Sequence, residues 1–219
     1  MNGDRSSTLS LDGFLGGAAS VGAAGAAGTA LGLANTVIAA RFFSEEVFGS
    51  FVLLHVITAF LAAICSLGLD MAVARSLSDV VSDDERQELV GTAILFRLGA
   101  VFVVSLVVWA IALGGRASAA SDLLMLAPLL LVLESSRSLF KAMLQGWFMF
   151  SRIALADLIA STANVALLLL VALLGVRGIA GLVMPRAAAL LAASGYAFLA
   201  IPGRKRPTIR WPLIRRLIR

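Results

Sequence analysis

Within residues 131–150, LVLESSRSLFKAMLQGWFMF, five polar side chains recur at helical spacing: Glu134, Arg137, Ser138, Lys141 and Gln145. At about 100° per residue they fall in one stripe roughly 100° wide. Asp157, Ser161 and Asn164 repeat the pattern further along, and Arg97 adds another isolated guanidinium. A guanidinium carries a planar fork of donors and a charge that persists at any physiological pH, which suits a phosphate. The competing reading is that these groups are structural ion pairs, or long side chains reaching back to an interface.

The segments that carry them are otherwise apolar. Hydrophobic residues make up 60% of the chain and charged residues 14%, against about 45–50% and 25% in soluble domains. Mean hydropathy is +0.97. Apolar runs of the length a bilayer needs fall near 14–40, 47–69, 89–114, 122–146, 153–175 and 178–201. They are long and do not alternate, which predicts helices rather than a barrel. The expected fold is all-α, a polytopic membrane protein with six transmembrane helices. A charge near the centre of such a helix costs about 2.5–3.5 kcal/mol, so the polar groups need compensation inside the protein.

Depth sharpens the expectation. Arg97 lies about eight residues, and Arg137 about nine, from the same side of the bilayer, or ~12–14 Å deep. Lys141 and Asp157 lie ~7 Å deep on adjoining antiparallel helices and are expected to pair, with Glu134 in the same structural group. Glu134 is the nearest acid to the two arginines and cannot neutralise both. Arg97 and Arg137 are therefore expected to open on a wet, cationic cavity that takes a phosphorylated cargo.

Local chemistry marks the helix ends. Ser82-Asp83-Asp84-Glu85 has the form of a capping box and is expected to start the third span. Ser44-Glu45-Glu46 and Ser121-Asp122 play that part for the second and fourth. Gly22, Gly25, Gly28 and Gly32 predict a first helix packed tightly through a small-residue face. Cys65 has no partner in the chain and reads as a core residue; His55 reads as a core or cavity residue. The start MNGDRSSTLSLDG is a poor secretory signal.

Net charge is +5, but seven of eighteen basic residues fall in the last sixteen positions, which points to lipid headgroups rather than nucleic acid. Arg5, Arg75, Arg86, Arg152 and those seven make eleven on one side; Arg41, Arg116 and Arg177 make three on the other. The positive-inside rule then puts both termini in the cytoplasm. The domain reading is a lobe at 1–203 followed by a basic cytoplasmic segment at 204–219. With no metal cluster, nucleophile–base pair or nucleotide loop in the sequence, the chain reads as a non-enzyme without a cofactor.

The order of elements carries a resemblance. ARFFSEEVFGSFVLLHVITAFLAAICSLGLDMAVARSLSD (40–79), LFKAMLQGWFMFSRIALADLIASTANVALLLL (139–170) and RPTIRWPLIRRLIR (206–219) are similar in type and order to the polysaccharide-unit flippases. These belong to the multidrug/oligosaccharidyl-lipid/polysaccharide exporter superfamily. The resemblance implies an inner-membrane protein that moves a lipid-linked, anionic oligosaccharide by alternating access of two six-helix lobes, of which this chain is one. A second lobe, a second copy or a partner subunit is then expected, with the chain ending inside the inter-lobe loop. It implies substrate contacts from Arg97 and Arg137, and weaker ones from Arg41, Arg75 and Asn164; Asp70 is expected to cap or pair locally. The alternative function is a non-transporting scaffold subunit of a polysaccharide assembly complex.

Overall fold

The computed structural model describes residues 11–66, 68–79, 82–114 and 119–202, without the side chains of 11–21, 83 and 119–122. Arg5, Arg116 and the basic segment 204–219 lie outside the described residues. Among the described residues seven helices follow one another: α1 Leu11–Phe42, α2 Glu45–Ser66, α3 Leu69–Asp79, α4 Asp83–Gly114, α5 Ala119–Gly146, α6 Phe150–Leu173 and α7 Ala180–Ala200. Six are long and apolar enough to cross a membrane, all except α3. The protein is an all-α polytopic membrane protein. Phe60, Phe102, Leu113 and Leu199 point outward, each at least 64% exposed, as side chains facing hydrocarbon do.

Two of the expected helix starts fall where they were placed. The Val47 N–H donates to Ser44 Oγ at 3.4 Å, with Glu45 and Glu46 in the first turn of α2. The carbonyl of Ser82 accepts from the Arg86 N–H at 3.1 Å as α4 begins. The fourth expected start does not agree. α5 begins at Ala119, so Ser121 and Asp122 lie inside its first turn, and their side chains are outside the description.

The short helix α3 was not anticipated by the spans. Its apolar residues Leu69, Val73 and Leu77 recur at four-residue steps and are all buried, the spacing that puts them on one face. α3 follows α2 after a break at Gly68, whose φ of +80° lies in the left-handed region that a Cβ resists. Together α2 and α3 run beside α4 and α5 as one interrupted path. Leu54 packs with Val108 and Leu130, Cys65 with Val101 and Leu131, then Val73 and Leu77 with Val90 and Met143. At the end of α5 the approach is closer still. A Cβ built on Gly146 would lie 2.7 Å from Leu77 Cβ and 2.8 Å from the Ala74 carbonyl oxygen.

α5 is the centre of the bundle, with α2, α3 and α4 on one side and α7 on the other. α6 packs on α7, and α1 on α6, while α1 and α2 scarcely touch. The expected tight glycine face of α1 is absent. A Cβ on Gly22, Gly25 or Gly32 would meet nothing within 4 Å, and one on Gly28 only Ser161 Oγ at 3.9 Å. α1 leans on α6 through a stripe that includes Gly28, Asn35 and Ala39, and leaves Gly22, Gly25 and Gly32 open.

Candidate functional site

The polar stripe of α5 does face a concavity. A groove of about 440 Å³ runs between the small side chains of α2 (Ala59, Ala62, Ala63, Ser66) and Glu134, Arg137, Ser138, Lys141 and Gln145 of α5, with Asp70 of α3 at its edge. The helical repeat places these α5 residues on one face, and alanines on α2 leave room opposite them.

The charges in and behind this groove form two networks. In the first, Arg97 of α4 is only 2% exposed and pairs with Asp70, which also accepts a hydrogen bond from Ser138 Oγ. Arg97 Nη2 lies 3.4 Å from Ser138 Oγ as well, whereas its Nε and Nη1 find no partner among the described residues. This corrects two expectations. Asp70 does not act locally but closes a contact twenty-seven residues along the chain. Arg97 lies behind the groove wall rather than in it, so it does not open on a cavity.

In the second network Arg137 Nη2 donates to Asp157 Oδ1 at 2.6 Å, and Lys141 Nζ to Asp157 Oδ2 at 2.7 Å. Arg186 of α7 donates to Glu134 Oε1 at 2.6 Å, and Arg137 Nη1 lies 3.6 Å from Glu134 Oε2. The side chains are a quarter to two-fifths exposed, except Glu134 at 16%. The expectation that no acid remains for the arginines is therefore wrong: Asp70 takes Arg97, and Asp157 takes Arg137 together with Lys141.

The charge balance still has a surplus. Arg97, Arg137, Lys141 and Arg186 are four cations against the three acids Asp70, Glu134 and Asp157. Removing the closed Arg97–Asp70 pair leaves three cations sharing two carboxylates. The extra positive charge belongs to the network that lines the groove, where Arg137 and Lys141 are both within reach of an entering group. That arrangement attracts an anion in a setting where salt screens weakly.

The other expected contacts are scattered. Arg41 is exposed in the last turn of α1, and Arg75 is exposed on the outer side of α3; neither lines the groove. Asn164 is buried and donates to Asn35 Oδ1 at 2.9 Å, tying α6 to α1. Three participants received no role from the sequence: Ser138 and Asp70 as partners of Arg97, and Arg186 as the partner of Glu134. An intramembrane position was the available signal for Arg186, since a charge there requires a partner.

A family described as polysaccharide biosynthesis protein matches the chain over residues 14–218. No curated protein and no solved structure matches it.

Proposed function

The chain belongs to the polysaccharide biosynthesis protein family, and on that premise we propose that it is a lobe of a transporter that flips lipid-linked oligosaccharide across the inner membrane. The diphosphate that joins lipid to sugar is the anion this groove suits. Arg137 and Lys141 contact it, Arg137 through its donor fork and Lys141 as a point charge. Arg97 supports the groove wall from behind. Both termini face the cytoplasm, as the basic residues on that side outnumber those opposite by eleven to three. The protein performs no bond chemistry of its own. A second lobe, copy or subunit covers the faces of α1 and α2, the two spans with the least burial at 6% and 11%.

The observation that carries this proposal is the surplus cation. Replacing Arg137 by Ala leaves Asp157 with Lys141 and Glu134 with Arg186, so no acid is stranded. Such a change tests cargo binding without dismantling the bundle. In cells whose polysaccharide export depends on this chain, Arg137→Ala should lower export by roughly tenfold or more at near-normal protein level. Arg137→Lys should restore part of it, since an ammonium keeps the charge and loses the fork. Normal export by Arg137→Ala would sink the cargo reading and favour a scaffold.

A further inference from the structure

Glu134 stands between two arginines and divides its carboxylate between them unequally. Its Oε1 accepts from Arg186 Nη2 at 2.6 Å, a short charge-assisted contact, while its Oε2 is 3.6 Å from Arg137 Nη1. The strong bond therefore runs to α7 and the weak one to the groove. Were Arg186 absent, the cation that the described residues leave paired with Glu134 would be Arg137, three residues on. Attraction between charges grows as they approach, and at 16% exposure of the Glu134 side chain water does little to weaken it. The carboxylate would close on Nη1, which it already faces at 3.6 Å; Nη2 is held by Asp157, and Nε is buried without a partner among the described residues.

We infer that Arg186 is a positioning residue for the anion site: by holding Glu134 it keeps Arg137 Nη1 open to a phosphate. This rests on the reading of the groove as an anion site, and it adds to that site a residue from α7 which does not line the groove. Arg186 adds its own positive charge to the network but acts through Glu134. The same carboxylate therefore sets anion affinity from the other direction. Neutralising Glu134 frees Arg137 whether or not Arg186 is present.

The test is a titration of the full chain, in lipid nanodiscs, with inorganic pyrophosphate. Wild type should bind, and Arg186→Gln should bind roughly tenfold more weakly. Glu134→Gln alone should bind several-fold more tightly, and Arg186→Gln with Glu134→Gln should return to wild-type affinity or better. A purely structural tie between α5 and α7 moves stability but gives no tighter binding in Glu134→Gln, so that variant separates the two roles. If Arg186→Gln fails to fold, Glu134→Gln decides the matter by itself: tighter binding supports the inference, and unchanged or weaker binding overturns it. If wild type binds and Arg186→Gln binds equally well, Arg186 has no such role and the groove keeps its proposed cargo. Failure of wild type to bind pyrophosphate would remove the anion site itself, and the positioning role with it.

Discussion

Asp70→Asn should destabilise the protein far more than any other loss of a groove charge. The change keeps the size of the side chain and removes only its negative charge. Arg97 is 2% exposed, and two of its donor nitrogens already lack partners among the described residues. With Asn at position 70, Arg97 faces only neutral acceptors: the new amide oxygen and Ser138 Oγ at 3.4 Å. Breaking one side of a buried ion pair costs about 3–5 kcal/mol. The Asp70 side chain is 27% exposed, which argues for the lower end, about 3 kcal/mol. At about 2–4 °C per kcal/mol for a chain of this size, the melting temperature should fall by ~6–12 °C. Thermal unfolding of the purified chain in detergent, followed by tryptophan fluorescence, reads this directly. Asp70→Asn combined with Arg97→Gln leaves no stranded charge and should recover more than half of the loss. Melting of Asp70→Asn within ~2 °C of wild type would refute the claim that Arg97 depends on this acid.

Lys141→Ala should lower the melting temperature by less than ~3 °C, because Asp157 keeps Arg137 at 2.6 Å and the lost ammonium is 41% exposed. The same unfolding assay checks it, and a fall matching that of Asp70→Asn would show that Lys141 and Asp157 act as an isolated pair. Gly146→Ala should destabilise by about 1–3 kcal/mol, since the added Cβ would press on Leu77 and on the Ala74 carbonyl oxygen. Gly25→Leu should leave stability in detergent nearly unchanged, as nothing lies within 4 Å of the added Cβ; a large loss would mean that another helix covers this face. A reporter active only in the periplasm should stay silent when fused after Arg219, and activity there would reverse the assigned orientation.

The long helices were legible in the sequence because their cause is local. In a bilayer a segment must satisfy its own backbone hydrogen bonds and present apolar side chains all round, and both conditions can be read from composition and length. The polar stripe of α5 was legible for the same reason, since helical geometry alone puts Glu134, Arg137, Ser138 and Lys141 on one face. α3 was not legible to a search for apolar runs of bilayer length, as eleven residues with one buried face fall short of such a run. Its four-residue spacing of Leu69, Val73 and Leu77 was the signal that could have revealed it.

Lys141 with Asp157 was legible from depth on adjoining helices, but which acid serves each arginine was decided only by the tertiary structure. The break at Gly68 sets α3 so that Asp70 arrives beside Arg97, and no local pattern reports a contact across twenty-seven residues and an interrupted helix. Asp157 takes both Arg137 and Lys141 because α6 brings a single carboxylate between two cations of α5. Arg186 reaches Glu134 only because α7 packs on α5. The open glycines of α1 follow the same rule: a small-residue face permits close approach, but a neighbouring helix must be there to use it, and α6 meets Gly28 while leaving Gly22, Gly25 and Gly32 uncovered. Sequence determined which residues are charged and on which helix face they lie. Packing determined the pairing, because ion pairs depend on separations of a few ångströms that only the assembled helices set.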